Sequence, residues 1–143
     1  MTRDEVMAMT DEELRIKAAE LMGWEYYCRA SDITGHDDRG LCGNPPGGWT
    51  DANGEREDCL YELPDYPNDI AAAWELVERF LEQRGSGVEL HREMDCKEWC
   101  CVFSLWEESP RSMGMKDVGW FQTEDAKLSR AITRAFILAM EAK

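Results

Sequence analysis

Eight consecutive residues, Trp99-Cys100-Cys101-Val102-Phe103-Ser104-Leu105-Trp106, contain a single polar side chain. A β-strand points successive side chains to opposite faces, so a strand that is apolar on both must be covered on both. Trp99 to Trp106 is therefore predicted to be a central strand. Its neighbours lie close in sequence. Val88, Leu90, Arg92 and Met94 alternate with Glu89, His91, Glu93 and Asp95, the spacing of a half-buried strand. Asp95-Cys96-Lys97-Glu98 reads as a turn, and Val118 to Gln122 as a third strand. Strands this close pair as antiparallel hairpins rather than through βαβ crossovers.

Three helices flank this block. The first spans about Asp11 to Met22, starting from the Thr10/Glu13 capping box. Leu14, Ala18, Leu21 and Met22 share one face, and Gly23 ends the run. Thr2 with Glu5 repeats the capping signature just before it. The second helix follows Pro67-Asn68-Asp69, with Asn68 or Asp69 as cap. Ile70, Ala73, Trp74, Val77, Phe80 and Leu81 form its apolar stripe, Glu75, Glu78, Arg79 and Glu82 its other side, and Gly85 its end. The third follows Thr123, with Leu128, Ala131, Ile132, Ala135, Phe136 and Ala139 buried and Arg130 and Arg134 one turn apart. Helices segregated from a β-meander predict an α+β fold, a single-domain sandwich over residues 1–143 with helices packed on an antiparallel sheet.

Two segments read as loops. Residues 31–54 are rich in glycine and carry Pro45-Pro46, with a short strand around Trp49. Glu107 to Lys116 carries Ser109-Pro110-Arg111-Ser112-Met113-Gly114. Loops of this length in a compact domain are often binding surfaces.

The charge limits the partners. Sixteen Lys and Arg stand against 30 Asp and Glu, a net of −14. Phosphate backbones repel such a chain, so DNA or RNA polymers are not expected partners. No apolar run reaches signal-peptide or membrane-span length, and the acidic surface disfavours anionic lipid, so no membrane partner is expected. The six cysteines are expected to be reduced thiols in a cytoplasmic setting.

Catalytic motifs are not evident. No Cys-x-x-Cys or His-x-x-x-His pair marks a zinc site, and Cys100 and Cys101 should face opposite ways. The cysteines read as small buried hydrophobes, with no metal and no cofactor assigned. His36 with Cys42, beside Cys28 and Cys59, leaves a small metal-dependent enzyme as one alternative. His91 reads as a solvated residue on the polar face of its strand. The acidity leaves another alternative, an acidic protein-binding inhibitor or DNA mimic. Anion binding is the third possibility. Arg111 and Lys116 flank Ser109, Ser112 and Gly114, and Arg134 lies on the last helix. A few local donors can hold a small anion despite the net charge. Trp49 and Tyr66 could stack on a base or close the pocket.

Residues 63–78, Leu-Pro-Asp-Tyr-Pro-Asn-Asp-Ile-Ala-Ala-Ala-Trp-Glu-Leu-Val-Glu, resemble the middle helix start of the phage ABA sandwich domain family. Glu124-Asp125-Ala126 followed by Ser129 to Ala135 looks like the family's last helix, and Ala18 to Trp24 fits as well. Together these cover about half the chain; the long first loop departs from the pattern. The resemblance implies a phage protein in a host cytoplasm. It also places the chain beside phage proteins of similar size, the Thoeris anti-defence proteins and sponges for cyclic oligonucleotides. Such a protein would be a homo-oligomer that encloses a cyclic nucleotide or cyclic ADP-ribose messenger without cleaving it. The expected ligand contacts are Arg111, Lys116, Arg134, Ser109 and Ser112, with Trp49 and Tyr66. Sequestration asks for a pocket and donors rather than a catalytic set.

Overall fold

The computed structural model describes residues 1–27, 48–50, 63–84, 87–92, 94–108 and 115–142. The chain forms two compact units, one made of Met1–Ala18 and Pro64–Lys143 and the other of Ala19–Leu63. The first unit contains the α+β architecture that the sequence predicts.

Local sequence sets the helix starts. α1 spans Arg3–Ala8 behind a full capping box. Thr2 Oγ1 accepts from the Glu5 amide, and Glu5 Oε2 accepts from the Thr2 amide at 2.6 Å. α2 spans Asp11–Leu21, and Thr10 and Glu13 repeat the exchange. These reciprocal bonds occupy amides that the first helical turn leaves without partners. Gly23 follows with φ of 92°, the left-handed conformation that ends a helix and that only glycine adopts without cost. α3 spans Ile70–Arg84, with Asp69 Oδ1 accepting from the Ala71 amide as its cap. α4 spans Leu128–Glu141 and is buried from Ala131 to Ala139.

The sheet is a meander of β3 (Gly87–His91), β4 (Trp99–Glu108) and β5 (Met115–Asp125), with β4 in the centre and both pairings antiparallel. The central position of the apolar run agrees with its two-sided burial. Cys101, Phe103 and Leu105 lie on one face, and Cys100, Val102 and Ser104 on the other, all buried. Phe103 meets the rings of Phe80 and Phe136 edge-on at 4.6 and 6.5 Å, which ties the sheet to α3 and α4. Leu76, Val77, Ile132 and Ala135 complete this core.

Two sequence expectations need correction. The buried side of α3 is Ala72, Ala73, Leu76, Val77 and Phe80, while Ile70, Trp74 and Leu81 are 48%, 47% and 41% exposed. The apolar arc of α3 is wider than the strip its neighbours cover. The second loop is also shorter than composition indicates. β4 continues to Glu108 and β5 begins at Met115, because antiparallel pairing carries on through charged and glycine residues. The register steps by one between Leu105 and Trp106, as a β-bulge does. Gly119 lies beside it, and a Cβ there would come within 3.0 Å of the Phe121 ring.

β3 pairs with β4 only as far as Ser104, so Leu105–Glu108 and Met115–Gly119 continue as a two-stranded arm. The second unit contains β1 (Glu25–Tyr27) and β2 (Gly48–Thr50), paired antiparallel with Tyr26 opposite Trp49.

Candidate functional site

Of the predicted ligand residues, Ser109, Arg111 and Ser112 lie outside the described residues, between the two strands of the arm. Lys116 is in β5, opposite Glu107 of β4, and Trp49 is in β2; both side chains are outside the described part.

Tyr66 and Arg134 are inside the fold. Tyr66 is fully buried at the start of the Tyr66–Asn68 turn. This turn is pinned to the start of α4: Ser129 Oγ donates to the Pro67 carbonyl at 2.9 Å and Lys127 Nζ to Asn68 Oδ1 at 2.7 Å. Arg134 is 9% exposed and donates to Asp125 Oδ2 at 2.6 Å and to the Met7 carbonyl at 3.2 Å. Its guanidinium thus bridges α1, β5 and α4. Asp125 also accepts from the Lys127 amide at 2.8 Å and lies 3.8 Å from Arg130. Arg130 in turn donates to Asp11 at 2.8 Å. Burial opposes ionisation of Asp11, but the hydrogen bond and charge of Arg130 win, aided by Asn68 and Lys127, and lower its pKa.

Lys116 and Asp125 are nine residues apart on β5, roughly 30 Å at the usual strand rise. Arg134 and Lys116 therefore belong to opposite ends of the hairpin. One small ligand cannot bridge them within one copy of the chain.

The described residues do form one cavity that the sequence did not indicate. It has a volume of about 150 Å³ and is lined by His91, Cys96, Glu98, Cys100, Gln122 and Glu124. Register explains the grouping. His91 pairs with Cys100, and Cys100 with Glu124, so one row across three strands carries an imidazole, a thiol and a carboxylate. Cys96 and Glu98 come from the β3–β4 connection. Arg92 holds that connection, donating through Nε to the Cys96 carbonyl at 3.2 Å and lying over the Trp99 ring at 5.7 Å. Gln122 Nε2 donates to Glu124 Oε1 at 3.1 Å. Cys101 belongs to the opposite face, where burial first, and then the neighbouring Cys100, push its thiol pKa up sharply. Among the described residues, no group of three or more His, Cys, Asp or Glu side chains could hold a metal ion.

No described helix is long and apolar enough to cross a membrane. His36, Cys28, Cys42 and Cys59 lie outside the described residues. In comparisons with known proteins, the chain matches no family model, no curated protein and no solved structure.

Proposed function

We propose that this chain is a phage counter-defence protein. It binds and sequesters a cyclic nucleotide or cyclic ADP-ribose messenger without cleaving it, at an anion site on the tip of the β4–β5 arm. The observation that carries this reading is the register. The arm continues past the end of β3 and joins its strands through Ser109-Pro110-Arg111-Ser112, with Lys116 one residue into β5. Two cations and two hydroxyls in eight residues can supply charge-assisted hydrogen bonds to a phosphate. The resemblance of residues 63–78 to the phage ABA sandwich domain family supports the phage setting.

Arg134 takes no part in ligand contact in this proposal, because Asp125 and Met7 occupy it. Closure of the site by a second copy of the arm is part of the proposal, since an isolated two-stranded ribbon has little stability alone. The test is a calorimetric titration against cyclic dinucleotides, cyclic trinucleotides and the cyclic ADP-ribose isomers. Saturable heat with at least one of them, and recovery of that ligand intact after the complex is heated, is the expected outcome. Silence across the panel would sink the proposal, and recovery of a cleaved ligand would replace sequestration with hydrolysis.

A second reading, an acidic protein-binding inhibitor, has one observation in its favour. Ile70, Trp74 and Leu81 are exposed on α3 beside the exposed Glu75, Glu78 and Glu82. Exposed tryptophan rimmed by charge is common where proteins bind proteins. This reading predicts that Trp74→Ala abolishes activity against the defence system while leaving nucleotide titrations unchanged.

A further inference from the structure

We propose that the exposed stripe of α3 docks an amphipathic helix of another protein, one that carries lysine and arginine beside its apolar face. The proposal rests on the second reading above and adds to it the chemistry of the partner.

Helix geometry makes the stripe. Ile70, Trp74 and Leu81 follow one another at steps of four and seven residues. On an α-helix such positions fall within about 40° of each other. All three are exposed. The stripe runs for three turns, about 16 Å at the usual helical rise. Glu78, Glu82 and Glu75 come next around the helix on one side, and all are exposed. On the other side Val77 and Ala73 begin the buried face. One flank of the apolar surface is therefore a row of three carboxylates.

Charge identifies what covers this surface. Glu75 and Glu78 are three residues apart, and Glu78 and Glu82 four, so their side chains are neighbours. Like charges at these spacings oppose the helix. Among the described residues, no Lys or Arg forms an ion pair with any of the three. Arg79 is on the same helix, but its Nε donates to the Gln83 side-chain oxygen at 2.9 Å. The helix thus keeps a repulsive row beside an exposed tryptophan, and a cationic partner relieves that repulsion. Trp74 and Glu78 are one turn apart, so a single arginine can lie over the indole and pair with the carboxylate.

Other occupants fit less well. A second copy of the chain would bring the same glutamate row and the same net charge of −14 to this face. An anionic lipid surface would be repelled by it. A helix offers apolar side chains at the i, i+4, i+7 spacing that a three-turn stripe accepts, and its flanks can carry the cations.

The probe is a fluorescein-labelled synthetic peptide of leucine and lysine, about 18 residues long, with its leucines on one helical face. Fluorescence anisotropy follows its binding to the full chain. Saturable binding is expected, and a peptide of the same composition with its leucines scattered should not bind. Trp74→Ala should weaken binding at least about tenfold, the effect of a central anchor. Changing Glu75, Glu78 and Glu82 together to Gln should do the same. Changing Glu89, Glu98 and Glu124 to Gln removes as many charges from the sheet and should leave the affinity unchanged. All these positions are exposed, and urea unfolding midpoints check that each variant is folded. No binding by the wild-type chain overturns the proposal, and so does equal binding by Trp74→Ala. Equal weakening by the two triple variants also overturns it, because net charge alone would then drive association. A dimer in sedimentation that Trp74→Ala disperses would give the stripe to a second copy instead. Activity against the defence system separates this proposal from the reading beneath it. Loss of that activity in Trp74→Ala without peptide binding sinks the basic helix and leaves the protein-binding reading standing. Unchanged activity in Trp74→Ala sinks both.

Discussion

At the scale of single residues, the most consequential side chain is Asp125. It accepts from Arg134 and from the Lys127 amide in a setting where both partners of the ion pair are nearly buried. Removing one member of a buried pair leaves the other charge without compensation, at a cost of about 3–5 kcal/mol. Asp125→Ala should therefore lower the unfolding free energy by that amount in urea titrations, and an unchanged midpoint would contradict the bridge. Sequence reasoning found Arg134 and placed it correctly on the last helix. It could not find the partner, because a carboxylate nine positions away becomes a neighbour only when β5 and α4 pack. His91 and Cys100 show the same limit. The alternation of the strand gave His91 its outer face. Which residue stands opposite depends on the register, and a seven-residue connection does not fix that register from composition.

At the scale of elements, sequence was most informative where the interactions are local. Both capping boxes could be read directly, since Thr2 with Glu5 and Thr10 with Glu13 need only a three-residue spacing. Thr10→Ala should cost about 1 kcal/mol, read as a shift in denaturation midpoint. The caps also predict a pH dependence. The Thr2 and Thr10 amides and hydroxyls lower the pKa of Glu5 and Glu13 respectively. A carboxyl group whose pKa is lower in the folded state binds fewer protons there than in the unfolded chain. Its stabilisation is complete above the ordinary carboxylate range and is lost as pH falls through roughly 4–5 and below. Unfolding titrations from pH 7 to pH 3 should show that loss, and Glu13→Gln should flatten it; identical profiles for the two proteins would count against the caps. Less was legible where tertiary packing decides. The apolar stripe of α3 contains Ile70, Trp74 and Leu81, yet sheet and α4 cover the adjoining strip instead. Phe103 is the centre of that packing, and Phe103→Ala should cost about 3–5 kcal/mol, measured by the same titrations.

At the scale of the whole molecule, the net charge is −14. In general a net negative charge disfavours polymeric phosphate, whereas binding of a small anion is governed by the few donors around it. Length and composition suggested one domain; the chain forms two compact units, and the α+β architecture lies in the first. The basic residues looked like one set because they share chemistry. The hairpin divides them, with Lys116 and the 109–114 connection at one end and Arg134 at the other. That division was invisible in sequence because strand length, which sets the separation, was underestimated. The central claim is tested most directly by calorimetric titration of the messenger that binds wild-type protein into an Arg111→Ala/Lys116→Ala variant. The account predicts that the heat disappears while the unfolding midpoint stays within error of wild type. Binding of that messenger with wild-type affinity by the variant would contradict it.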